Sequence, residues 1–394
     1  MFPFILLAFL SSKASLYIIF YKYSKEKVRK IEGNLFTDVY DVQKMFFGKE
    51  AAESHEIMKN CRKEIFDAIE KDQVPQKMKY LMFKMTNRCN SDCEYCSHAI
   101  HSKIREDKID IPFEIIKRTI EEAGELGVEA LSINGGEPLL MEYVGDIVAA
   151  AVEQNITPVL MTNGILLPEK WKMLSERGLR YIILSFDSLN PSVYEKQRGI
   201  SFDIGMAGVK AALAMKNRYP DAEIHVTSVL TRQNMDETPE FIQKMSDMGI
   251  SVQLSPYHHF NPLKKDELSI RDEDEARKLT DTLLQMKSEG YRIANSAGFL
   301  AHLPAFFVEG KRVPDGYECL IGYTNLFIDA HMNARPCWAS CFDSVGNIGS
   351  QSLKEIWYGE KMQRYRKQML RCQCEGCWYL CTGEVSMFLK NMLI

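Results

Sequence analysis

Two groups of cysteines carry most of the chemistry available to this chain. Cys89, Cys93 and Cys96 stand in a C-x3-C-x2-C run. Cys319, Cys337, Cys341, Cys372, Cys374, Cys377 and Cys381 crowd the C-terminal part, and no cysteine lies between residues 97 and 318. A disulfide framework does not usually leave such a gap, and the total of 11 is odd. Two metal sites in a reducing compartment are therefore expected. Cys61 stands alone in a helical stretch and is expected to pack as a small hydrophobe. The first group offers three thiolates and no nearby fourth. A structural zinc site normally takes four protein ligands, whereas an iron–sulfur cube held by three leaves one iron open to a small molecule. A zinc knuckle is the plainer alternative at this point.

Other polar residues recur wherever a short apolar run ends. Gly135-Gly136-Glu137-Pro138 follows the second run, and Asn163-Gly164 follows the third. Ser185-Phe-Asp187-Ser188 closes the fourth, Arg198-Gly199 comes next, and Ser228 lies in the fifth with Asn234 just after it. Each alone reads as a turn or a strand-end cap. Together, C-x3-C-x-aromatic-C followed by GGEP resembles the radical S-adenosylmethionine (radical SAM) superfamily. That resemblance implies a [4Fe-4S] cluster on Cys89, Cys93 and Cys96 whose open iron chelates S-adenosylmethionine. One electron, from a donor such as flavodoxin or ferredoxin, then cleaves the sulfonium to a 5′-deoxyadenosyl radical that abstracts hydrogen from substrate. It further implies cofactor contacts at Tyr95 beside the adenine and at the backbone of Gly135 and Gly136, with Glu137, Asn163, Ser185, Asp187 and Ser228 lining the pocket. Arg198 would pair with the methionine carboxylate.

The seven later cysteines resemble the SPASM and twitch extensions of the same superfamily and imply at least one auxiliary [4Fe-4S] cluster. The SPASM pattern has glycine five residues before its second cysteine, where this chain has Met332, and it has one more cysteine after its last run. The single-cluster twitch form fits better, with Cys319-x17-Cys337 as one pair and Cys374-x2-Cys377 as the other. Cys372 could replace Cys374, and Cys341 and Cys381 are ligands under a SPASM-like arrangement. A zinc ribbon or scattered structural thiols is the plainer reading.

The elements that must position these groups are legible from periodicity. Apolar runs at Tyr80–Met85, Ala130–Asn134, Pro158–Met161, Tyr181–Phe186, Ile224–Leu230 and Val252–Ser255 alternate with amphipathic stretches. That alternation predicts a parallel sheet, with reactive groups at the C-terminal strand ends. The expected fold is α/β: a partial (β/α)6 TIM-like barrel over 79–298, a helical extension over 31–78, and a small iron–sulfur domain over 299–394. The regular alternation stops after Gly298.

Residues 1–30 form an apolar and then basic N-terminal segment. Residues 2–20 are just long enough to cross a bilayer, and Lys22, Lys25, Lys27, Arg29 and Lys30 would hold the rest on the cytoplasmic side. The alternatives are a membrane-surface helix or a segment packed on the protein; the expected location is the cytoplasm, with or without this anchor. Net charge is −4, so no nucleic-acid partner is expected. Composition, 46% hydrophobic and 26% charged, excludes a disordered or fibrous chain. Tyr257 or His258, beyond the sixth run, is expected to face substrate, or else to sit in a surface loop. The substrate is a peptide or a small molecule. The helical character of 1–78 offers no edge strand for an added peptide strand. The non-enzymatic alternative is an iron–sulfur electron carrier or a zinc protein.

Overall fold

The computed structural model describes residues 51–96, 108–258, 266–338, 342–374 and 377–391. Its six parallel strands are β1 (Tyr80–Thr86), β2 (Ala130–Gly135), β3 (Thr157–Thr162), β4 (Tyr181–Ser185), β5 (Glu223–Leu230) and β6 (Ser251–Pro256). They match the apolar runs to within one residue at either end. Alternation sorts their side chains. Leu81, Ile133, Leu160, Ile182, Val226 and Leu254 join the helices in the main core, whereas Tyr80, Ala130, Val159 and Tyr181 form a separate cluster.

The helices are α1 (Ala51–Glu70), α2 (Phe113–Glu125), α3 (Val144–Glu153), α4 (Leu167–Glu176), α5 (Pro191–Arg198), α6 (Phe202–Arg218), α7 (Thr238–Asp247) and α8 (Glu273–Ser288). Ile116, Thr119, Ile120 and Ala123 show why α2 forms: their spacing puts one face in the core. Helix α5 is additional to the sequence expectation. Asn190 caps it by accepting from the Ser192 and Val193 amides, proline opens it, and Gly199 ends it at φ 64°. It is short and mostly polar, so no apolar period marks it, yet it delivers Arg198.

Beyond Gly298 the sheet continues. Strand β7 (Asn325–Ile328) pairs parallel with β1, and β8 (Asn333–Arg335) and β9 (Gly346–Asn347) follow antiparallel. The order is β6-β5-β4-β3-β2-β1-β7-β8-β9, an open sheet. Strand β7 covers the edge that β1 would otherwise expose, so the barrel and the cysteine-rich part share one sheet. Side-chain ties reinforce the join: Trp357 Nε1 donates to Pro75 O at 3.0 Å and Tyr358 Oη to Gln76 O at 2.9 Å. Ile65 of α1 packs with Leu320, Tyr323 and Leu389. The apolar and basic segment 1–30, the helical extension up to residue 50, Cys341 and the side chain of Cys61 lie outside the described residues. Among the described residues no helix is long and apolar enough to cross a membrane.

Candidate active site and auxiliary thiol pocket

Strand β1 ends at Thr86, and the thiols of Cys89, Cys93 and Cys96 follow on the next loop. Backbone bonds from the end of β2 hold that loop: Gly136 N donates to Thr86 O at 2.9 Å and Glu137 N to Arg88 O at 2.7 Å. The approach is close enough that a Cβ on Gly136 would lie 2.1 Å from Arg88 O, which is why only glycine fits. Glu137 is fully buried and accepts from Leu139 N at 2.9 Å, Thr162 Oγ1 at 2.7 Å and Asn163 N at 2.8 Å. Burial pushes its carboxyl up to about 7 against the pull of these bonds. Its carboxylate thus binds the ends of β2 and β3 together. Asn163 Nδ2 in turn donates to Asn90 Oδ1 and Ser91 Oγ, both at 2.8 Å, tying β3 to the cysteine loop.

A second buried network stands beside Cys93. Asp187 accepts from Val229 N at 2.6 Å and Tyr95 Oη at 2.5 Å, and forms an ion pair with Arg198. Arg198 Nη1 is 3.9 Å from Cys93 Sγ, and its guanidinium lies 5.4 Å from the Tyr95 ring centroid. Burial would lower the Arg198 pKa, but Asp187 overrides it and holds the guanidinium charged. Ser228 Oγ and Asn234 Nδ2 both donate to Asp187 O at 3.1 Å. Asp187, Arg198, Tyr95 and Ser228 therefore brace one another and the thiol loop, and Ser185 ends β4 half-buried. The bracing residues Asn90, Ser91 and Asp110 were not singled out in the sequence. Asp110 accepts Thr86 Oγ1 at 2.6 Å and Arg88 Nε at 2.9 Å, but no spacing links it to residues more than twenty positions away.

At the other site Cys319, Cys337, Cys372, Cys374 and Cys377 line one pocket with Tyr317, Phe342, Met369 and Thr382. Burial drives the Cys319 thiol pKa well up, with Cys377, Cys374 and Cys372 adding to the effect. Cys377 Sγ lies 3.1 Å from Thr382 Oγ1. Cys372 differs from the rest. It closes the Glu360–Leu370 helix at φ 48°, with Cys372 N bonded to Met369 O and Gln373 N to Gln368 O, the position where glycine is usual. Its thiol donates to Tyr317 O at 3.1 Å. Cys381 does not line this pocket; it sits in the π-helical segment Leu380–Glu384, its pKa pushed up to about 12 by burial and by Cys377. Met332, in the place of the SPASM glycine, keeps a left-handed backbone at φ 67°. Tyr257 and His258 are not surface residues, being 3% and 4% exposed.

The sequence profile of the radical SAM superfamily matches residues 83–261, and that of an iron–sulfur cluster-binding domain, SPASM, matches residues 319–378. The chain belongs to the radical SAM superfamily. The PqqA peptide cyclase of Granulibacter bethesdensis is 24% identical over 297 residues, 73% of this chain and 75% of that one. The probable GTP 3′,8-cyclase of Methanocaldococcus jannaschii is 30% identical over 200 residues, 50% of this chain and 63% of that one. Streptococcus suis SuiB bound to the precursor peptide SuiA shares the fold, with a TM-score of 0.61 at 19% identity over 88% of this chain and 79% of that one.

This radical SAM protein is thus an enzyme that cleaves S-adenosylmethionine at a [4Fe-4S] cluster, and its C-terminal part binds an auxiliary cluster. The reading as a non-catalytic electron carrier or zinc protein is displaced. The thiol sites fit these groups. Cys319, Cys337, Cys372, Cys374 and Cys377 around one pocket suit a polyatomic cluster. Burial pushes Cys93 up to about 12, with Arg198 pulling down and Cys96, Asp187 and Cys89 pushing up; burial also raises Cys89. Iron supplies the positive charge that thiolates in such surroundings need.

Proposed function

We propose that this radical SAM enzyme modifies a peptide, with Cys89, Cys93 and Cys96 holding the cluster that binds S-adenosylmethionine. We assign one auxiliary cluster to Cys319, Cys337, Cys374 and Cys377. When bound, the cluster and S-adenosylmethionine supply a 5′-deoxyadenosyl radical that takes hydrogen from substrate. Asn163 and Ser185, at the ends of β3 and β4, present polar groups to that cofactor. Glu137 fixes Asn163, and the Asp187–Arg198 pair steadies Cys93. Cys372 stays outside the auxiliary ligand set because its thiol is spent on the Tyr317 carbonyl. Four thiols would fill every iron site there and leave electron transfer as the auxiliary role. A protein donor such as flavodoxin or ferredoxin would supply the reducing electron.

One observation carries the peptide reading. The likeness to a peptide cyclase extends over 297 residues, against 200 for the GTP cyclase. The test uses the reconstituted full chain with S-adenosylmethionine and reductant, offered in parallel the short peptides encoded beside its gene and GTP. The expected result is 5′-deoxyadenosine release stimulated by one peptide, together with a mass change in that peptide. Stimulation and conversion of GTP alone would replace the peptide reading with a small-molecule one.

A further inference from the structure

Two residues just beyond β6, Tyr257 and His258, reach toward the two thiol sites. Tyr257 packs with Tyr95 and Leu268, and Cys93 lies against the same cluster; its amide donates to Leu230 O at 3.0 Å. His258 faces the other way. Its Nδ1 is 2.8 Å from Pro256 O, and since a carbonyl only accepts, Nδ1 carries the proton. Nε2 is left with a lone pair, and it accepts the backbone N–H of Trp378 at 3.2 Å. The imidazole stacks on Tyr379 with centroids 3.6 Å apart and stands edge-on to Phe306 at 4.9 Å. Trp378 follows Cys377 directly. Its indole is fully buried, donates to Phe299 O at 3.1 Å and stacks on the Phe299 ring.

We propose that Tyr257–His258 is a strut between the two metal sites, and that His258 is a positioning residue for the auxiliary one. The inference rests on the reading above that Cys377 is an auxiliary ligand. The His258 lone pair satisfies the buried amide just after Cys377, while the ring holds Tyr379 in place. The ligand segment is thereby fixed to the strand end that packs on the Cys93–Tyr95 loop. Partners of this kind, one step beyond the ligands, orient a metal site and set its electronic properties. Removing the acceptor leaves that amide without a partner and frees the segment to shift.

The test uses the full chain with Cys89→Ala, Cys93→Ala and Cys96→Ala, so that only the auxiliary cluster forms. His258→Phe keeps a ring for Tyr379 but has no acceptor, whereas His258→Gln returns an acceptor. The readouts are the electron paramagnetic resonance signal of the reduced cluster and its retention of iron against a chelator. His258→Phe is expected to change the signal and weaken retention by about 10- to 100-fold, with His258→Gln recovering most of both. A Phe variant matching its parent in both readouts, in a protein whose signal vanishes with Cys377→Ala, overturns the strut alone. A signal that survives Cys377→Ala overturns the ligand reading and the strut with it.

Discussion

The two thiol sites are built on opposite plans. At the mouth of the sheet all three cysteines come from one loop, and the ends of β2 to β5 hold that loop through backbone bonds and a buried polar network. The auxiliary thiols arrive from three separated stretches, at Cys319, at Cys337 and at Cys372 to Cys377, behind a wall of Tyr317, Phe342 and Met369. On the proposed ligand assignment, the scaffold makes the geometry of the first site before metal enters it, whereas in the second the metal would be a principal cross-link between distant segments. The difference predicts that losing metal has different consequences at each.

Replacing Cys89, Cys93 and Cys96 with alanine should reduce 5′-deoxyadenosine formation to background and leave the melting temperature within about 2 °C of the parent. Replacing Cys319 and Cys337 should lower stability by several kcal/mol, since metal-binding energy there is folding energy, and should expose Trp378 to fluorescence quenchers. Equal thermal shifts for the two sets would remove the distinction. Within the auxiliary site, Cys374→Ser should lose cluster absorbance and Cys372→Ser should keep it. The reverse result would exchange their roles.

A finer test strikes the scaffold at the first site without touching a ligand. Gly136→Ala puts a methyl 2.1 Å from Arg88 O, where backbone rather than a flexible side chain must give way. Its expected cost is above about 3 kcal/mol, in the range of severe core strain, and the three-thiol cluster should fail to assemble while the auxiliary one still forms. Differential iron counting against the Cys89→Ala/Cys93→Ala/Cys96→Ala protein checks this. Unaltered loading of the first site would mean that the β2 end does not hold the cysteine loop.

How much of this was legible in the sequence also divides along the two plans. The six parallel strands could be read because burial on both faces writes nearly continuous apolar runs. Cys89, Cys93 and Cys96 could be read because their spacing is local. Strand β7 could not: Asn325–Ile328 is four residues long, and what makes it a strand is the open edge of β1 more than two hundred residues away. For the same reason Asp187, Arg198 and Tyr95 could be named as site residues, but their bonding to one another could not. That network depends on α5 bringing Arg198 back over the cysteine loop. The surface alternative for His258 fails for a related reason. Beside a second histidine and before a polar loop it resembles a surface residue, but the Trp378 amide and the Tyr379 ring, from the far end of the chain, help to bury it.

The smallest expected effect separates the two regions by pH. His302 packs edge-on to Trp378 at 4.6 Å and donates from Nε2 to Lys311 O at 2.9 Å. Burial, with the Lys311 charge assisting, drives its pKa down to about 4 from an ordinary 6.5. A histidine with a depressed folded-state pKa stabilises fully above 6.5, and that stability drains away as pH falls toward 4, because the unfolded chain takes up the proton first. Between pH 7 and 5 the loss should be about 2 kcal/mol. Glu137, with its carboxyl raised to about 7, works in the opposite sense over the same interval: it stabilises more as pH falls from about 7 to 4.5. His302→Gln keeps a donor for the Lys311 carbonyl and removes the titration. In urea unfolding at pH 7 and 5, the His302→Gln protein should therefore lose less stability on acidification than its parent by about that amount. The Glu137 contribution is common to both and cancels in the difference. If the two proteins lose stability equally, His302 is accessible to protons in the folded state and the wall around Trp378 is looser than its packing implies.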